Sequence, residues 1–160
     1  MKFWLGTALA APTALVLATA AIAGETASDL PLPEFMGHVM QRNAEQLWGW
    51  TSVETDGAGT RTGEPKTAEQ WEQAESDALT VQQLTYTLQN ATFRPDDSRW
   101  DKLIGDLRAA ATASADAAEH KDFAALTRAG DEINAKCVAC HWAFAPQLET
   151  PPPPVPLPKS

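Results

Sequence analysis

Near the far end of the chain stand Cys137-Val138-Ala139-Cys140-His141. They contain the only two cysteines in 160 residues, three positions apart, with a histidine directly after the second. Cys-x-x-Cys-His is the pattern for covalent attachment of a c-type haem. The two sulfurs form thioethers to the macrocycle, and the imidazole binds iron from one side. A helix suits this task, because positions i, i+3 and i+4 share one face with Cβ atoms roughly 5–6 Å apart.

Other chemistries fit these residues less well. A zinc site needs four ligands; Cys137, Cys140 and His141 supply three, and only His38 and His120 remain elsewhere. A redox dithiol belongs after a strand at a helix N-terminus, where the helix dipole lowers a thiol pKa. Here a long helical run precedes the pair. A disulfide would suit an exported chain but leaves His141 unexplained.

On the iron's other side the sequence offers Met36, Met40 and His38, or an open position. The two methionines lie one turn apart on an apolar helical face; His38 falls between them in sequence and points away. Either methionine can also be plain core filling.

The elements that must position these groups read as four helices. Pro31-Leu32-Pro33 opens the first, and Leu32, Phe35 or Met36, Val39 or Met40, Asn43, Leu47 and Trp50 recur at helical spacing. Residues 51–66, rich in glycine and small polar side chains, read as a loop across one end. Thr67 and Gln70 form a capping box for a second helix running to about Ala91, before a break at Pro95. Asp97 or Ser98 caps a third, with Trp100, Ile104, Leu107 and Ser114 on its face, and Asp122 caps the fourth. That last helix carries Leu126, Ile133, Cys137, Cys140, His141 and Phe144 on one side. No stretch reads as a strand. The expected fold is all-α, an antiparallel up-down four-helix bundle with covalently attached haem over residues 24–148. Trp48, Trp50, Trp71, Trp100 and Trp142 read as packing.

The ends read differently. Residues 1–23, with Lys2, an apolar run and Ala21-Ile22-Ala23, have the form of a cleaved secretory signal peptide. Export makes the expected location periplasmic, with no membrane span after cleavage. Residues 149–160 contain six prolines and read as an extended, disordered tail. Charge is strongly acidic, −9 overall, which argues against nucleic acid or an anionic membrane and suits a redox partner with a basic patch.

An exported four-helix chain with one Cys-x-x-Cys-His near the end of its last helix resembles the class II c-type cytochromes, the group of cytochrome c′ and cytochrome c-556. Phe35-Met36, Asn43-Ala44, Leu47-Trp48, Glu69-Gln70-Trp71, Arg94 and Trp100 extend the resemblance over about residues 32–146. It implies one haem c on Cys137 and Cys140, His141 as proximal ligand, and Met36 as distal ligand with Met40 the alternative. Arg94 falls where it would pair with a haem propionate. The implied function is one-electron transfer among periplasmic redox proteins, with no catalytic residues. Its relatives include five-coordinate cytochromes that bind NO or CO, the alternative function; a haemless redox or metal module is the third. A homodimer through the first two helices is compatible with the fold.

Overall fold

The computed structural model describes residues 30–148. The expected leader and the proline-rich tail lie outside these residues.

Helix α1 covers residues 32–51 in three parts: Leu32–Glu34, a π-helical turn Phe35–Met40, and Gln41–Thr51. Proline occupies its first turn, where an N–H would have no helical partner. In the π turn the Gln41 N–H reaches the Met36 carbonyl, five residues back. The buried face consequently steps from Phe35 to Met40, then to Ala44 and Leu47. Regular α-helical spacing would align Met36 with Met40. The extra residue in the turn gives Phe35 the inward place and leaves Met36 half-buried at the edge of the core.

Residues 51–66 are not simply a loop. Strands β1 (Val53–Asp56) and β2 (Gly59–Thr62) form an antiparallel hairpin, Val53 opposite Thr62 and Asp56 opposite Gly59. All eight residues are exposed, so the inside–outside alternation that identifies a strand in sequence is missing. Asp56 accepts the Ala58 N–H at 2.8 Å, and Arg61 pairs with Asp56 across the strands at 2.8 Å. The hairpin closes on α1 through the Gly63 N–H to the Ser52 carbonyl, 2.9 Å. A Cβ on Gly63 would stand 1.7 Å from the Gly49 carbonyl oxygen, so only glycine fits there.

The other three helices have the caps their sequences carry. Helix α2 (Ala68–Leu88) starts with the complete Thr67–Gln70 capping box, each bond 3.2 Å. It ends at Leu88, one turn before the expected Ala91. Asp97 caps α3 (Ser98–Glu119) through the Arg99 N–H, and Asp122 caps α4 (Phe123–Phe144) through the Ala125 N–H. Between α3 and α4, Lys121 is left-handed at φ 56°. Its N–H reaches Ala118 and that of Asp122 reaches Ala117, the paired bonds of a Schellman turn. A 3₁₀ turn, Pro146–Leu148, ends the described residues.

These helices pack as an antiparallel bundle. From α2 to α3, Trp100 donates to the Leu88 carbonyl, Arg108 to Thr85 and Gln82 to Thr112. One series of numbers falls as the other rises, so the helices run in opposite directions. Trp50, at the end of α1, joins the Trp71–Ala74–Leu126 cluster. Phe35, at its start, meets Phe93 just past α2, ring centroids 5.1 Å apart. Helix α1 therefore runs opposite to α2 and lies along both α2 and α4. Leu47, Val81, Ile104, Leu126 and Ile133, each at most 1 % exposed, form the axis of the core.

Candidate functional site

Cys137, Cys140 and His141 lie in the C-terminal half of α4, all three half-buried. Cys137 and Cys140 pack against the larger apolar cluster, which includes Phe35, Met40, Phe93, Trp100 and Ile104. Met36, Val39, Trp48, Leu84 and Phe144 adjoin the same cluster. Trp100 is anchored by its bond to the Leu88 carbonyl at 2.8 Å and meets Phe144 edge to face at 5.0 Å. The floor beneath the two thiols is thus apolar. A flat hydrophobic macrocycle suits such a surface, and a hydrated ion does not.

Helix α1 brings the methionines to this end of the bundle. Thr51 touches Gly130 of α4, where a Cβ would stand 2.6 Å from the Thr51 hydroxyl oxygen. Antiparallel helices with equal rise keep that level. Counted from that contact along ideal helices, Ala44, seven residues away, would fall level with Cys137, and Met40, eleven away, with His141. Met40 is 3 % exposed and packed in the core, whereas Met36 is at the core's edge. His38 points outward, as its position between the methionines implies, and pairs with Glu34 at 3.1 Å.

The thiols of Cys137 and Cys140 have a largely apolar environment. They are not joined in a disulfide, and burial pushes the Cys140 thiol up from its ordinary value. A catalytic thiolate needs the opposite shift, at a helix N-terminus or beside a cation. Among the described residues no group of three or more His, Cys, Asp or Glu side chains is placed to hold a metal ion.

The Arg94 guanidinium is paired with Asp101, both side chains roughly half exposed. Trp71 and Trp100 are packed as expected, but Trp142, beside His141, faces outward at 57 % exposure. Arg99 stacks over Phe144 at 5.5 Å. His120 bonds the Asp116 carbonyl at 2.7 Å.

Two polar features escaped the sequence reading. Asp77, 9 % exposed, accepts the Trp50 indole N–H at 2.7 Å and the Gln73 amide at 3.0 Å. It links α1 to α2. An aspartate on the core-facing side of α2 is the sequence signal that could have found it. The second is Trp48, whose Nε1 is buried and meets no acceptor among the described residues. A buried, unbonded donor costs about 1–3 kcal/mol. The Ser114 hydroxyl is also buried without an acceptor, but rotation about one bond brings a helical serine to the carbonyl four residues back. An indole N–H is fixed in its ring. For a group carrying carboxylates beside the thiols, this donor is a point of fit.

No known family model, curated protein or solved structure matches this chain.

Proposed function

We propose that the chain is a c-type cytochrome of the class II kind, an exported one-electron carrier with one haem bound through Cys137 and Cys140. The observation that carries this reading is the Cys137-to-His141 run itself, half-buried on an apolar floor near the end of the last helix of a bundle. When bound, the haem supplies a one-electron couple at its iron, and the surrounding groups tune its potential.

The chain's own residues have separable tasks in this reading. Cys137 and Cys140 hold the group and fix its orientation. His141 supplies the proximal nitrogen. Met36 supplies the distal thioether, and Met40 is the alternative one turn along α1. A thioether favours the reduced state relative to a harder ligand and raises the potential. With both His141 and a methionine of α1 holding the iron, a change of oxidation state would need little rearrangement of the chain's own ligands. The core holds α1 against α4 and the Trp50–Asp77 link fastens it to α2, so that α1 would keep its methionines near the end of α4 that carries His141. The acidic surface favours a redox partner with a basic patch.

Optical spectra of the purified exported protein, oxidised and reduced, test the reading. Haem bands that survive acid extraction, a low-spin spectrum and a far-red sulfur-to-iron band are expected. Met36→Ala should abolish the far-red band while leaving the haem attached. Absence of haem bands would overturn the cytochrome reading. A high-spin ferrous form that readily takes up carbon monoxide would replace the carrier with a gas-binding protein. Loss of the band only in Met40→Ala would move the ligand by one turn.

A further inference from the structure

We propose that Trp48 is a positioning residue for the bound haem, its indole N–H being the buried donor to one propionate carboxylate. The inference rests on the cytochrome reading and adds to it a specific contact from α1.

Three observations converge on this residue. Its Nε1 is buried with no acceptor among the described residues, while the indoles of Trp50 and Trp100 each have one, at 2.7 and 2.8 Å. Its ring adjoins the same apolar cluster as Cys137 and Cys140. Counted from the Thr51–Gly130 contact, Trp48 falls about one helical turn from the level of Cys137. Helical side chains lean toward the N-terminus of their own helix. On α1 that lean carries the indole from the level of Trp48 towards that of Ala44, which is the level of Cys137.

The ligand chemistry follows from the donor. An indole can donate one hydrogen bond and accept none, so its partner must be an acceptor. A carboxylate in an apolar setting is the acceptor that gains most, because a bond to an ionised group is roughly twice as strong as a neutral one. The side chains of α4 nearest Trp48 on the solvent side, Asp131 and Asn134, are exposed, as is Glu54 on β1. They line a surface depression with Trp48, whereas its Nε1 is closed off from solvent. With Thr51 and Ser52, which line the same depression, these are the polar groups that compete with a propionate for the N–H.

A donor to the ionised form lowers a carboxyl's pKa, and its removal raises it. In the haem-loaded protein the midpoint potential should therefore bend with pH where the propionate titrates. In Trp48→Phe that bend should move to higher pH by about one unit, a tenfold change in proton affinity, with haem content unchanged. In the unsubstituted protein, the Trp48 indole N–H resonance should shift through the same pH range as the potential and exchange slowly with solvent. This second measurement needs no variant. An indole resonance that is indifferent to this titration, or that follows Asp131→Asn instead, would overturn the proposal. So would an unmoved bend in loaded Trp48→Phe. A protein without haem bands would fail earlier, at the cytochrome reading, and would be recognised by its spectrum.

Discussion

The link between Trp50 and Asp77 governs how α1 is held, and its strength can be worked out from the structure. Asp77 is 9 % exposed, and its two carboxylate oxygens accept separate hydrogen bonds, from Trp50 at 2.7 Å and from Gln73 at 3.0 Å. A hydrogen bond to a charged group contributes about 1.5–3 kcal/mol. Asp77→Ala removes both bonds and leaves the indole N–H without its acceptor, so a loss of about 2–4 kcal/mol is expected. Trp50→Phe keeps most of the ring and the Gln73 bond, and should cost about 1–3 kcal/mol. Because the two residues share one bond, the effects should not add. The double variant should be less destabilised than the sum of the singles by about 1.5–2 kcal/mol. Urea denaturation of the purified protein and its three variants, followed by far-UV circular dichroism, measures the cycle. A coupling below about 0.5 kcal/mol, the scatter of independent sites, would refute the claim that this bond fastens α1 to α2. On the cytochrome reading proposed above, Asp77→Ala should also weaken the far-red sulfur-to-iron band, because Trp50 stands on the helix that carries Met36 and Met40.

Further outcomes follow from the backbone and the caps. Lys121 is left-handed between α3 and α4; Lys121→Gly should stabilise the protein by about 0.5–1 kcal/mol, read as a raised urea midpoint. Gly130→Ala would place a methyl 2.6 Å from the Thr51 hydroxyl oxygen and should cost about 1–3 kcal/mol by forcing α1 from α4. Thr51→Ala should only partly restore it, since the Thr51 Cβ would still be 2.9 Å away. The Arg99 side chain holds the Asp97 carboxyl down at about 2, well below the usual aspartate range. A depressed carboxyl contributes stability above its unfolded pKa and loses it as pH falls towards the folded one. That contribution should disappear between about pH 4 and pH 2, and thermal melts of Asp97→Asn should lack this component of the acid dependence.

Parts of this molecule were legible because their signals are local. Thr67 with Gln70, Asp97 and Asp122 satisfy N–H groups within three residues of themselves, so the cap and the helix start are written side by side. Leu47, Ile104, Leu126 and Ile133 were legible as core because three- and four-residue spacing makes one face. The hairpin was not, since all eight residues of β1 and β2 are exposed and the strands close by backbone bonds, by Arg61 between Glu54 and Asp56, and by the Thr55–Thr60 hydroxyl bond. Trp142 was read as packing, but its helix turns the Cys140 side inward and leaves the indole in solvent. Arg94 pairs with Asp101, seven residues along the chain, a partner that residue type alone does not single out.

By itself the sequence determined the four helical segments, most of their ends, and the run of Cys137, Cys140 and His141 on one side of the last helix. Covalent bonding patterns, caps and periodicity act over a few residues, so composition and spacing suffice to specify them. Only the tertiary structure decided what these residues meet. The π turn is where that division is clearest. It inserts one residue into the first turns of α1, puts Phe35 against Phe93, and leaves Met36 at the core's edge with Met40 inside. Helical propensity in Phe35–Met40 does not call for that extra residue. It goes with the packing of a ring from α1 against one beyond α2, between residues far apart in the chain.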